Sequence, residues 1–304
     1  MVSVSQVALP HLTPAPRWYA HGLNRAAVYR LSARLAGALP RPLRLRAARA
    51  VGAAAVGRFA QERDVVRRTL GRIVDGARGR VLDALVGEVF ANFAVCFADL
   101  ITTNRRGDPQ GLIADVEGRE HLEAAERLGR GLVVLTAHLG NWELGGRTLA
   151  GTVQRRTHVV VAPERDPGVE RFLRGDGGPV RFVTRTAPTE ALGLVAALRR
   201  GDVVALQGDR ALGDRSDRWQ PFFGSPAPFP LGPFVLARAA AAPVLPAFCL
   251  LRPDHRYTIA IGAPWTVSRG GEADALAHWV GVLAAMVRRH PTQWFNFYDV
   301  WRPC

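Results

Sequence analysis

Short apolar runs alternating with amphipathic stretches organise the chain from residue 111 onward: "LIADVEG", "HLEAAERLG", "GLVVLTAHLG", "NWELGGRTLAG", "HVVVAP", "PGVERFLR", "VRFVT", "APTEALGLVAALRRG" and "DVVALQGD". The runs rich in valine, isoleucine and leucine are too short for helices and read as strands. The stretches between them keep a helical apolar period. Further strands are expected at "VLPAFCLL" and "RYTIAIGAP", then a helix at "EADALAHWVGVLAAMVRRHP" and a tail "TQWFNFYDVWRPC". This alternation predicts an α/β fold, a central mixed but mostly parallel sheet flanked by helices.

The first third is different. "ERDVVRRTLGRIVDGARGRVLDALVGEVFANFAVCFADLI" keeps a helical period to about residue 101. Before it, "RAAVYRLSARLAGALPRPLRLRAARAVGAAAVGRF" sets Leu, Val and Tyr at helical intervals among arginines, and Pro40 and Pro42 divide it into two helices. With no repeat, low-complexity tract or linker in view, the expectation is one domain over 1–304. A helical layer covers 1–105 and an α/β core covers 106–304.

No uninterrupted apolar stretch of about 18 residues is present, which argues against a spanning helix. The longest approach, "FVLARAAAAPVLPAFCLL" from Phe234, contains Arg238, Pro243 and Pro246 and reads as a buried helix leading into a strand. The start "MVSVSQVALPHLTPAPRW" has no charged beginning or continuous apolar core, so no secretory signal is expected.

Charge changes the picture of the helical layer. All 40 basic residues are arginine, and the formal net charge is +14. The first 60 residues hold nine arginines, Arg17 to Arg58, and no acidic residue. Basic amphipathic helices of this kind lie in a membrane interface, apolar face in the acyl boundary and arginines at the phosphates. The plainer alternative is two packing helices with solvated arginine faces. The excess charge favours an anionic membrane surface, an acidic carrier protein or nucleic acid. No recognisable nucleic-acid module accompanies it, so a basic nucleic-acid-binding protein is the competing reading and no nucleic-acid partner is expected.

Several chemistries are excluded or unsupported. A chain without lysine cannot carry a P-loop, and no Gly-x-Ser-x-Gly elbow occurs. The eight histidines are dispersed, and Cys96, Cys249 and Cys304 give neither a disulfide framework nor metal spacing. No metal or cofactor is expected.

One stretch carries chemistry. In "VVLTAHLGNWELGG" an apolar strand ends, His138 follows, and a helix begins around Asn141 with Glu143 in its first turns. Ligands of α/β sheets bind outside the C-terminal ends of strands, and a helix N-terminus favours neutral imidazole over imidazolium. A neutral histidine whose other ring nitrogen is held by Glu143 has the base-and-orienter logic of a triad whose nucleophile comes from the substrate. A packed or capping histidine, with Glu143 merely favouring the helix start, explains the same residues.

His-x4-Glu in this setting resembles the motif of glycerolipid acyltransferases within the lysophospholipid acyltransferase-like superfamily. Its form is similar to the late lipid A (lauroyl/myristoyl) acyltransferase family, which includes phosphatidylinositol mannoside acyltransferases. "VVAPERDPGVERFLR" and "VVALQGDRALGDRSDRWQPFFGSPAPFPLGPFVLARAAAAPVLPAF" follow in the order of that family, so the likeness runs from about residue 60 to 295. Such enzymes usually begin with a spanning helix and end in a basic tail, where this chain has arginine-rich amphipathic segments and "QWFNFYDVW".

The resemblance implies a membrane-associated O-acyltransferase at the cytoplasmic face of a bacterial inner membrane, peripheral or monotopic. His138 takes the proton of a lipid or glycolipid hydroxyl, which attacks the thioester of acyl carrier protein or acyl-coenzyme A, with Glu143 as orienter. Backbone N–H groups near Gly140 and Asn141 suit the oxyanion. Arg165 and Arg210 suit a phosphate or sugar-phosphate head group, with Asp209 orienting Arg210 or His138; surface ion pairs with Asp166 or Asp209 are the alternative. Phe222 and Phe223, in "WQPFFGSPAPFPLG", wall an acyl channel or belong to a packed loop. The alternative within the same fold is a catalytically inactive lipid-binding protein.

Overall fold

A computed structural model describes residues 24–106, 110–153, 155–174, 180–184, 188–213 and 216–302. Arg17, Cys304 and the start of the chain lie outside them.

The anticipated alternation is present. Seven strands, β1 (Ile113–Glu117), β2 (Leu132–Thr136), β3 (Thr157–Val161), β4 (Val180–Thr184), β5 (Val203–Gln207), β8 (Val244–Leu251) and β9 (Tyr257–Ile261), form one sheet in the order β1-β9-β8-β2-β5-β3-β4. All neighbours are parallel except β8 and β9, which a short turn joins antiparallel. Helices α5 (Arg119–Arg127), α6 (Trp142–Thr152), α7 (Pro167–Arg174), α8 (Pro188–Arg199), α9 (Gly232–Ala240) and α10 (Glu272–Arg289) connect or follow the strands.

β2 is central, between β8 and β5, which explains its unbroken apolar run: both faces are covered. Val133 and Leu135 pack with Leu198 of α8, Phe234 of α9 and Trp279 and Leu283 of α10. Leu132 and Val134, on the other face, pack with Leu122 and Ala125 of α5, Val203, Leu245 and Ile261.

The aromatic and proline-rich segment, where no strand was expected, is a separate antiparallel hairpin, β6 (Asp217–Phe222) with β7 (Ser225–Pro230). Its two-residue turn is Phe223-Gly224, both at positive φ.

Four helices form the N-terminal layer: α1 (Ala26–Ala38), α2 (Arg41–Arg58), α3 (Ala60–Ile73) and α4 (Gly79–Arg106). Pro40 caps α2 and Pro42 sits in its first turn, as the sequence indicated. α4 corrects one expectation: over Gly79–Thr103 it is long and apolar enough to cross a membrane by length and composition. Scattered charges such as Asp83, Glu88 and Asp99 concealed it from a search for an uninterrupted run. Most of this stretch is buried, with α1, α2 and α3 against it.

Candidate active site

The register of β2 against β5 builds the site. Thr136 lies opposite Gln207, so the residues two places beyond each strand end, His138 and Asp209, emerge side by side. His138 Nδ1 is 2.8 Å from Asp209 Oδ1, and the His138 backbone N–H donates to Asp209 Oδ2 at 3.1 Å. A carboxylate on Nδ1 fixes the proton there and leaves Nε2 as the free acceptor. Asp209 receives two more donors from the C-terminal tail, Trp294 Nε1–H at 3.0 Å and Asn296 Nδ2–H at 3.4 Å. The tail is threaded alongside the His138 loop: Phe295 N–H donates to His138 O, and Gly140 N–H donates to Gln293 O. Arg210 is pinned in the same network, Nε to Asn296 Oδ1 at 2.9 Å and Nη2 to Phe295 O at 2.8 Å, with its guanidinium over the Tyr298 ring.

Burial would raise the Asp209 carboxyl, but the neighbouring His138, Arg210 and Trp294 N–H outweigh it and hold the group well below the usual carboxylate range. Burial, reinforced by Arg210, lowers the His138 imidazole against the opposing pull of Asp209. The histidine is therefore neutral at neutral pH, beside an ionised carboxylate: a base with a fixed tautomer and a counter-charge for the imidazolium it becomes.

Asp209, not Glu143, occupies the ring nitrogen to which Glu143 was assigned. Glu143 faces a cavity from the first turn of α6, where burial raises its carboxyl against the influence of Arg147 and Arg174. The backbone donors proposed for the oxyanion are also spent. Gly140 N–H is bonded to Gln293 O at 2.9 Å and Asn141 N–H to Cys249 O at 2.7 Å. Gly140 is required by close approach: at φ +65° a Cβ would stand 2.0 Å from Cys249 O. Asn141 caps α6, its side-chain oxygen accepting from Leu144 N–H at 3.4 Å.

Arg165 is exposed in the turn before α7, and among the described residues no contact joins it to His138. Its neighbours do the local binding, Asp166 accepting from Ala26 N–H and Gly168 N–H. Phe222 is core, packed on Phe223, Phe229, Trp294 and Trp301, while Phe223 at the hairpin turn lies under the Arg288 guanidinium. Neither lines the cavity beside the histidine, because the hairpin packs on the opposite side of the sheet with α10.

That cavity, about 160 Å³, lies between α6 and the sheet and crosses all seven strands, from Val116 and Ile259 to Val159 and Phe182. Thr136 and Gln207, two residues before His138 and Asp209, form part of its wall, as does Trp142, whose ring centroid is 4.8 Å from that of His138. Gly145 and Gly146 keep α6 low-profile above it. The wall is mainly aliphatic, with Glu143, Arg147, Arg119 and Arg174 as the charged exceptions. No group of three metal-ligating side chains exists among the described residues.

The missed positioning residues, Trp294 and Asn296, had no signal of their own in the sequence. Asp209 did: "VVLTAH" and "VVALQGD" end alike, each placing a titratable residue two beyond a strand.

Comparison with known proteins finds relatives among lipid acyltransferases. Over 248 residues the chain is 28% identical to a phosphatidylinositol mannoside acyltransferase of Mycobacterium tuberculosis (strain ATCC 25618 / H37Rv), covering 78% of this chain and 76% of that protein. It is 25% identical over 182 residues to the lipid A biosynthesis palmitoleoyltransferase of Escherichia coli (strain K12), covering 59% of this chain and 58% of that one. The lauroyltransferase of the same strain is also 25% identical, over 183 residues and 59% of each chain. The sequence profile of bacterial lipid A biosynthesis acyltransferases matches residues 25–303, and the chain belongs to that family of acyltransferases.

Proposed function

We propose that the protein transfers a fatty acyl group from the thioester of acyl carrier protein or acyl-coenzyme A to a hydroxyl of a lipid or glycolipid, with His138 as general base. The observation that carries this reading is the His138–Asp209 pair at the strand ends, with an apolar cavity against the same strand ends. His138 Nε2 takes the proton of the acceptor hydroxyl as its oxygen attacks the thioester carbonyl. The C–O bond forms, the C–S bond breaks, and the proton passes from the imidazolium to the departing thiolate. Asp209 keeps the imidazole oriented and balances its charge throughout.

The cavity receives the acyl chain, since its aliphatic walls gain by excluding water from methylenes, about 0.8 kcal/mol each. Arg210 is the better placed of the two head-group arginines: it is held beside His138, and its Nη1 is not engaged in the described bonds. It presents a fixed cation to a phosphate or sugar-phosphate on the acceptor. α1 and α2 lie on an anionic membrane surface, and the protein, peripheral or monotopic, works at the cytoplasmic face of a bacterial inner membrane.

The test supplies labelled acyl carrier protein or acyl-coenzyme A with a bacterial lipid extract and compares the wild type with His138→Ala. A labelled lipid that forms with the wild type and drops by about 10³-fold in the variant supports the base. Label that persists in the variant removes His138 from the chemistry. No transfer from either donor favours a catalytically inactive lipid-binding protein.

A further inference from the structure

Two arginines of the basic helix α2 turn inward. Arg41 donates from Nε to Asp99 Oδ1 at 3.1 Å and from Nη2 to Asp99 Oδ2 at 2.7 Å, and Arg44 Nη2 lies 3.6 Å from the same carboxylate. Asp99, in α4, is wholly buried. A carboxylate at that depth persists only if paired and hydrogen-bonded. Arg41 also donates to His255 O in the β8–β9 turn.

The same carboxylate accepts a second kind of donor, Tyr257 O–H at the start of β9, at 3.0 Å from Oδ2. The Tyr257 oxygen in turn accepts from Asn141 Nδ2 at 3.3 Å, whose other amide proton goes to Cys96 O at 3.0 Å. Every bond has a fixed direction: the amide donates to the phenol, the phenol to the carboxylate, and the guanidinium to that same carboxylate. At the end of this chain stands the cap of α6, three residues past His138 and two before Glu143.

We propose that Tyr257 and Asp99 are positioning residues for acyl transfer, holding the Asn141 cap and so fixing the start of α6 beside His138. The arginines of α2 complete the device by neutralising Asp99. None of these groups touches the reacting atoms. Their effect is on how tightly the His138–Asn141 loop and the cavity-facing Glu143 and Trp142 are held. This inference rests on the acyl-transfer reading above.

The test uses the full chain carrying Tyr257→Phe, which removes one hydroxyl and keeps the ring, with Asp99→Asn and Arg41→Gln alongside. Steady-state acyl transfer and amide hydrogen exchange are both measured. Tyr257→Phe removes both buried hydrogen bonds of the phenol oxygen, to Asp99 and from Asn141, and is expected to lower kcat about tenfold with the KM for the acyl donor within about twofold of the wild type. Exchange is expected to speed up over residues 139–147 while the sheet keeps its protection. Arg41→Gln should act in the same direction. Wild-type kcat in Tyr257→Phe overturns the proposal, and so does a falling melting temperature with unchanged exchange at the start of α6. Transfer that persists in His138→Ala breaks the general-base reading instead, and the exchange result stands apart from it.

Discussion

In the proposed mechanism, Asp209 is the residue on which the chemistry of His138 turns. Asp209→Asn keeps the shape and removes the charge that opposes burial and Arg210 at the imidazole. The imidazolium formed during proton transfer then has no counter-ion, and the substituted amide can present its N–H₂ to Nδ1, selecting the wrong tautomer. A loss of about 10² to 10⁴ in kcat is expected with little change in KM, measured by initial rates of acyl transfer; a variant within threefold of the wild type would deny Asp209 this role. The pH profile follows from the directions of the shifts. His138 must be neutral to act, and its ionisation lies below 6.5, so kcat/KM rises with pH through a value under 6.5 and is flat at neutral pH. An inflection above 7 would show that another group is the base. Gly140 makes a prediction about stability: Gly140→Ala forces a Cβ into Cys249 O at a positive φ, a cost on the order of 3 kcal/mol read by chemical denaturation. The place of His138 at a strand end was legible from the apolar run before it, although a packed or capping histidine explained the same residues, and only the ordered likeness to an acyltransferase family weighted it toward chemistry. Its partner was ambiguous because strand order is not written locally. Glu143 is near in sequence, whereas Asp209 is near only because β5 pairs with β2.

At the scale of elements, α6 and the sheet form a slot whose depth is set by two small residues. Gly146 faces the cavity with only Val159 Cγ2, at 3.7 Å, near the position of a Cβ. Gly146→Leu should therefore fold and fill part of the slot, shifting preference toward shorter acyl donors. With a series of acyl-coenzyme A chain lengths, kcat/KM for the long donors is expected to drop at least tenfold relative to short ones; each lost methylene contact contributes about 0.8 kcal/mol. An unchanged chain-length profile would place the acyl chain elsewhere. The strands and helices that make the slot were legible from periodicity, since buried central strands show as continuous apolar runs and crossover helices as amphipathic ones. The hairpin β6–β7 was not. Its prolines at 221, 226, 228 and 230 read as loop, yet a two-stranded ribbon has two free edges that tolerate residues without an N–H. The aromatic residues there suggested either a channel wall or a packed loop; they pack as the seal between hairpin, tail and α10, and the aliphatic wall of the cavity comes from strands whose apolar side chains looked like ordinary core.

The whole molecule presents a surface that its interior does not explain. Leu31 (58% exposed), Leu35 (62%) and Val51 (66%) stand in water on α1 and α2. Arg30, Arg34, Arg46 and Arg58 are exposed on the same two helices, although Arg41 and Arg44 are committed to Asp99. Exposed leucines flanked by arginines, on helices with no acidic residue, fit the interface of an anionic bilayer: leucines at the acyl boundary and guanidinium groups at phosphates. The net charge of +14 adds long-range attraction that salt screens. Two consequences separate this surface from a merely solvated face. Sedimentation with vesicles containing phosphatidylglycerol should exceed that with neutral phosphatidylcholine vesicles and weaken between low and high salt. Leu31→Ser with Leu35→Ser, both exposed, should cut vesicle binding at least tenfold, since burying each leucine contributes about 1.5–3 kcal/mol, while transfer to a detergent-dispersed acceptor stays near the wild type. Binding that survives the double substitution would mean that charge alone holds the protein to the membrane. Equal binding to neutral and anionic vesicles would remove the arginines from that role and leave α1 and α2 as packing helices over α4.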